Sequence, residues 1–228
     1  MNIELVVFDI AGTTMVDGGN INDAFRNAFS NAGYEVDAID VDKVMGYRKI
    51  DAIKIILDKY NHQADNANAH LIETIHTDFT NNMVEFYEND NELKPMPFAE
   101  EVFEELQTRG IKIALNTGFT KVITDAILTR LNWNTNPIIN AVISSDEVPE
   151  GRPHSYMIKK IMDQLKIDSA HKVAKVGDTK VDIEEGRNTN CGLVVAVTTG
   201  AYTREQLQQF QPDHIIDSLQ QLPALIYD

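Results

Sequence analysis

Six short apolar runs punctuate the chain: Glu4–Phe8, Ile111–Leu115, Ala141–Ser144, Lys172–Val176, Leu193–Val197 and His214–Ile216. They are near-continuously apolar rather than alternating, the pattern of parallel strands covered on both faces. Helix-like segments separate them at Ala99–Arg109, Lys121–Leu131, Ser155–Lys166, Val181–Asn188 and Thr203–Phe210. Strand and helix therefore alternate from Pro95 onward, which predicts an α/β fold built on an open, doubly wound parallel sheet. Such sheets carry their sites beyond the carboxyl ends of the strands.

Residues 17–94 break this alternation. Ile50, Ile53, Ile56 and Leu57 fall on one helical face, and no convincing strand interrupts the segment. It ends in the polar stretch "ENDNELKPMP", whose two prolines mark a hinge. The expectation is an α-helical insertion at 17–94 between two pieces of one α/β core, 1–16 and 95–228.

Composition narrows the function classes. Hydrophobic content of 43% with 24% charged residues is ordinary for a globular chain. A formal charge of −15 argues against a nucleic-acid partner, which would demand a basic face. The single cysteine, Cys191, forms no intramolecular disulfide and lies in an apolar run, as a buried inert thiol does. No stretch approaches a membrane span, and the N-terminal residues lack the features of a signal peptide, so a cytoplasmic location is expected.

Four polar clusters stand where strands should end. They are Asp9 with the turn Gly12-Thr13-Thr14, "NTG" at Asn116–Gly118, "EGRP" at Glu150–Pro153, and "VGDTKVD" with Asp178 and Asp182. In a doubly wound sheet all four converge on one crevice. Three carboxylates, a hydroxyl and a guanidinium are the equipment of phosphoryl transfer. Carboxylates hold a hard cation such as Mg²⁺, charge neutralisation lets a further carboxylate approach phosphorus, and aspartyl-phosphate intermediates form this way. The histidines point to no zinc site, since His62, His70 and His76 lack i, i+4 spacing. His154 after the GRP loop reads as a plain loop residue, and "TTG" at Thr198–Gly200 as a simple strand–helix connection. Tyr34, Phe79, Phe86 and Tyr87 are expected to pack the insertion or its hinge.

With these motifs the chain resembles the haloacid dehalogenase superfamily over essentially its whole length. The matching residues are Asp9-x-Ala11-Gly12-Thr13-Thr14, Thr117 after a strand, Arg152, and the Gly177-Asp178-Thr179 motif with Asp182. The resemblance implies a Rossmann-like core with the helical insertion as a cap. It implies Asp9 as nucleophile and Mg²⁺ held by Asp9, the Ala11 carbonyl and Asp178, with Asp182 supporting the metal site. It further implies Thr117, Gly118 and Arg152 at the phosphoryl group, and suggests a homodimer.

Most phosphatases of the superfamily carry an acid two residues after the nucleophile, a group worth roughly 10²–10⁴ in rate. Here that position is Ala11. The branch that carries alanine is phosphonatase, which cleaves a carbon–phosphorus bond. "GRP", "NTGF" and "KVGDT" resemble that branch, as does "MGYRKID" at Met45–Asp51, with Gly46 and Lys49 in the positions of its cap loop. There the lysine forms a Schiff base with the substrate aldehyde. Such a lysine must be partly neutral, and a helix start beside Arg48 favours that. Three roles for Lys49 stand open: imine former on a small phosphonate, a charge contact in a phosphatase for a small phosphorylated metabolite, or a solvated surface charge. The chain departs from phosphonatase at Ala52 in place of histidine, Phe119 in place of tyrosine and Asn20 in place of cysteine.

Overall fold

The computed structural model describes residues 2–60 and 69–227. Its sheet contains β1 (Leu5–Asp9), β2 (Lys112–Thr117), β3 (Ile139–Ser144), β4 (Val173–Gly177), β5 (Leu193–Val197) and β6 (His214–Ile216). The order is β3-β2-β1-β4-β5-β6 and every pairing is parallel. All six apolar runs are strands, with ends displaced by no more than two residues.

Among the described residues, four helices follow β1: α1 (Asn20–Asn31), α2 (Ala38–Asp42), α3 (Lys49–Tyr60) and α4 (Ala69–Asn89). The core then continues with α5 (Ala99–Thr108), α6 (Lys121–Arg130), α7 (Tyr156–Leu165), α8 (Lys180–Thr189), α9 (Arg204–Gln208) and α10 (Leu222–Tyr227). Alternation along the strands sends Val6, Phe8, Ile113 and Leu115 to one face, with Phe103 of α5 and Leu222 of α10. Leu5, Val7 and Ala114 face the other way, against Met157, Ile158 and Ile161 of α7 and Leu207 of α9. Both faces are thus covered, which accounts for the unbroken apolar runs.

The outgoing and returning chain lie side by side where the helical cap joins the sheet. The Met96 amide donates to the Thr14 carbonyl at 2.8 Å, and that of Val16 to the Lys94 carbonyl at 3.2 Å. Helix α4 packs on α1, α3 and α6. Phe25, Phe29, Phe79 and Tyr87 of the cap join Phe119 of the core in one buried cluster, with Tyr34 and Phe86 packed against it. Among the described residues no helix is long and apolar enough to cross a membrane.

Candidate active site

Strand order reverses between β1 and β4, and the crevice of such a sheet opens beyond the carboxyl ends of those two strands. Asp9 is the last residue of β1, and Asp178 immediately follows β4. The turn after Asp9 is closed by the amides of Thr14 and Met15 donating to the Ile10 carbonyl, at 2.9 and 2.8 Å. The Thr14 hydroxyl donates to the Asp9 carbonyl at 2.9 Å. Asp182 lies in the first turn of α8, where its Oδ2 accepts from the Thr179 amide and hydroxyl at 3.2 and 2.5 Å, a capping box. Oxygens of Asp9, Asp178 and Asp182 lie within 4.8 Å of one another, all three residues buried.

A buried ionic lattice backs this trio. Arg152, from the loop between β3 and α7, sets Nη1 2.7 Å from Asp9 Oδ1 and 3.1 Å from Asp182 Oδ1. Its Nη2 donates to the carbonyl and the side-chain oxygen of Asn116, at 2.6 and 2.8 Å. Lys175, in the middle of β4, reaches Asp182 Oδ1 at 2.9 Å, Glu185 at 3.4 Å and the Asn116 side-chain oxygen at 2.7 Å. Asn116 returns its Nδ2 to both Glu185 oxygens, at 3.0 and 2.9 Å. Two buried atoms of the lattice, Arg152 Nε and Asp182 Oδ1, make no hydrogen bond and are held by ion pairs instead, Nε 3.3 Å from Glu185 and Oδ1 between Arg152 and Lys175.

Four carboxylates (Asp9, Asp178, Asp182 and Glu185) face only two cations in this lattice, Arg152 and Lys175. The imbalance is felt at Asp9 and Asp178. Burial raises Asp9 to about 6 against the pull of Arg152. Burial, with repulsion from Asp9 and Asp182, lifts Asp178 well above the usual carboxylate range. Burial acts on Asp182 too, but Arg152 and Lys175 outweigh it and hold that carboxyl below its ordinary value. Clustered, hard carboxylate oxygens whose charge burial disfavours fit a divalent cation of the Mg²⁺ class. Asp178 is presented to that point by the Thr13 hydroxyl at 3.1 Å and the Ala201 amide at 2.7 Å.

Lys49 is the first residue of α3 and only 4% exposed, which excludes the solvated surface charge. Its amine lies 5.0 Å from the centre of the Phe119 ring and 5.8 Å from that of Phe25. Burial lowers it to about 8, opposed by the attraction of Asp9 and assisted by Arg152. The cationic neighbour is therefore Arg152, not the expected Arg48, whose guanidinium turns outward to the Pro149 carbonyl at 3.0 Å. Ala52 and Phe119 are both buried in the apolar cluster, so their positions bring no proton-transferring group to Lys49.

The remaining expected residues gather here as well. Thr117 ends β2, one residue past Asn116, the sheet partner of Asp9, and its hydroxyl accepts from the Phe119 amide at 3.2 Å. Ala11 lies in the turn after β1. Gly46 sits at φ 84°, with its carbonyl 3.5 Å from Arg152 Nη1, and Gly118 packs beneath the carbonyls of Gly46 and Tyr47. Asn20 is exposed at the start of α1, away from the buried centre, and His154 pairs with Glu150 at the surface. His62 lies outside the described residues, and Cys191 is buried with its thiol pushed up to about 12.

Sequence reasoning missed Lys175 and Glu185 as members of the site, and placed Asn116 in the strand-end cluster without the part it plays in the ionic lattice. It also took Thr198–Gly200 for a simple connection, whereas this loop braces the turn after β1 and the Asp178 carboxyl. Thr199 donates to the Gly12 carbonyl at 2.7 Å, and Gly200 presses on the Asp178 carboxyl.

The family model for haloacid dehalogenase-like hydrolases matches residues 6–197. A phosphonoacetaldehyde hydrolase of Bacillus mycoides is 30% identical over 227 residues, spanning 93% of this chain and 83% of its own length. One from Bacillus anthracis is 27% identical over 234 residues, spanning 96% and 86%. Among solved structures, a phosphonoacetaldehyde hydrolase-like protein of Oleispira antarctica matches with a TM-score of 0.84 at 24% identity, over 99% of this chain and 92% of its own. A phosphoglycolate phosphatase candidate of Lactobacillus delbrueckii subsp. bulgaricus matches at 0.78 and 16%, over 99% of each chain. These two structures share the fold with this protein.

Proposed function

The chain belongs to the haloacid dehalogenase-like hydrolases, in their phosphonatase-like branch, and from that premise we propose that it cleaves the carbon–phosphorus bond of a small phosphonate aldehyde. Phosphonoacetaldehyde, the compound named in the relatives just described, is the specific substrate of this reading. The observation that carries it is the Lys49 amine, buried, lowered to about 8 and under the electrostatic pull of Asp9.

The chemistry follows from what each group can do. The neutral Lys49 amine adds to the aldehyde carbon, water leaves, and a protonated imine forms. Asp9 attacks phosphorus. As the C–P bond breaks, its electron pair moves into the imine to give an enamine, so no free carbanion is expelled. Protonation of the enamine carbon and hydrolysis release acetaldehyde and regenerate the amine, while water hydrolyses the aspartyl phosphate to inorganic phosphate. Arg152 and Thr117 bind the phosphoryl oxygens, with the backbone at Gly118 and Gly46 lining the same space. Mg²⁺ held by Asp9, the Ala11 carbonyl and Asp178, with Asp182 in support, would supply charge neutralisation at phosphorus. An acid at position 11 would add little here, because the departing atom is carbon.

Borohydride added with phosphonoacetaldehyde should inactivate the protein irreversibly and leave a reduced adduct on Lys49, and Lys49→Arg should form none. Absence of any adduct with the aldehyde present would refute the imine. A second reading, hydrolysis of a small phosphate ester with Lys49 as a charge contact, is favoured by one observation. Ala52 and Phe119 leave the amine among apolar side chains, without the relay that imine chemistry uses elsewhere in the branch. Turnover of a phosphate-ester panel without activity on the phosphonate would establish it.

A further inference from the structure

The cap loop Met45–Arg48, which ends directly at Lys49, touches the core at unusually short range. The Gly46 carbonyl approaches Arg152, and the Arg48 guanidinium donates to the Pro149 carbonyl at 3.0 Å. Beneath these contacts lie two glycines of the core. A Cβ at Gly118 would collide with the Tyr47 carbonyl oxygen and come within 2.7 Å of the Gly46 oxygen. A Cβ at Gly151 would stand 2.6 Å from the Arg48 Cβ. Neither glycine needs its freedom for the core itself, since neither has the positive φ seen at Gly12, Gly46 or Gly110. Both are backbone positions where alanine fits the local chain and collides only with the cap. The obstructing atoms are carbonyls and a Cβ, which cannot swing aside as a side-chain end would.

We propose that Gly118 and Gly151 are positioning residues, bare seats on which the cap loop rests so that Lys49 is carried into the crevice with Asp9. The two seats flank the site from different strands. Gly118 follows β2, and Gly151 directly precedes Arg152 in the loop after β3. The geometry therefore couples the loop that delivers the amine to the residue that holds Asp9. The inference rests on the reading of Lys49 as a site residue, but it holds whether that amine forms an imine or only contacts substrate.

The test compares wild type with Gly118→Ala and Gly151→Ala. Exposure of Lys49 is read by acetic anhydride labelling and mass spectrometry, and the core site by calorimetric binding of beryllium fluoride with Mg²⁺. Wild type should label slowly at Lys49, and each variant faster by about tenfold or more, while beryllium fluoride binding by Gly151→Ala, at the seat outside the phosphoryl space, stays within about twofold. A third variant, Gly151→Ala with Arg48→Gly, removes the colliding Cβ and should recover protection of Lys49 relative to Gly151→Ala alone. Unchanged labelling in both single variants would overturn the proposal. So would loss of beryllium fluoride binding in Gly151→Ala, which would mean that this glycine serves the core fold, and so would failure of the double variant to recover protection. None of these readouts requires turnover, so failure of the phosphonate reading leaves them interpretable.

Discussion

Burial moves the two reactive groups toward each other in charge state, raising Asp9 to about 6 and lowering Lys49 to about 8. For a lysine this sign means that the neutral amine gains ground two to three pH units earlier than in water. Trapping of the Lys49 adduct by borohydride should therefore rise with pH and reach half its plateau near 8, rather than near the ordinary 10.5. A midpoint near 10 would mean the amine is solvated when substrate arrives. Lys175 presents the opposite case, a buried cation whose value lies in its partners. Lys175→Met leaves Asp182 and Glu185 short of a counter-charge, and should cost about 3–5 kcal/mol in urea unfolding. Asp9 and Asp178 were legible in the sequence because each is a polar residue at the end of an apolar run, and Arg152 because it stands in the loop that follows one. Lys175 was hidden by standing inside such a run. Its partner Asn116 lies 59 positions away, so no local spacing reveals the pair.

Helix α4 connects the cap to the chemistry through its aromatic face. Phe79 lies 4.7 Å from Phe25 and 6.5 Å from Phe119 between ring centres, and those two rings border the Lys49 amine. Tyr87, two turns later on α4, meets Phe119 edge-on at 6.1 Å. Phe79→Ala should destabilise the protein by about 3–5 kcal/mol in denaturant unfolding. It should also move the Lys49 trapping midpoint upward, since water entering the cavity relieves the burial that lowers the amine. A stability loss without that pH shift would mean that Phe79 supports packing alone. The strands and the core helices up to α9 were readable because burial on both sheet faces writes itself as unbroken apolar runs. Helix α10 was not foreseen, because Pro223 reads as a breaker although the first turn of a helix tolerates it. The aromatics of the cap were expected to pack among themselves or at the hinge. Their contact with Phe119 across to the core depends on how α4 crosses α6, which helical periodicity does not encode.

At the scale of the whole molecule, one face of the sheet holds its charge in balance only with help. Glu185, Asp182, Arg152 and Lys175 pair with one another behind the crevice, whereas burial raises both Asp9 and Asp178 at its mouth, with Asp9 and Asp182 adding repulsion on Asp178. A ligand that binds the folded state alone stabilises it by about 2.7 kcal/mol when present at 100 times its dissociation constant. For a chain of this size about 2–4 °C of melting temperature accompanies each kcal/mol. Saturating Mg²⁺ should therefore raise the melting temperature by about 5–10 °C, and Ca²⁺ or Mn²⁺ of the same hard-oxygen class should act in the same direction. Asp178→Asn removes the carboxyl that burial disfavours most, so two changes are expected together. The metal-free variant should melt higher than the metal-free wild type, and the shift with Mg²⁺ should largely vanish. A variant that melts lower without metal would show that Asp178 contributes more through Thr13 and Ala201 than it costs through repulsion. The dication would then not be what balances this end of the sheet.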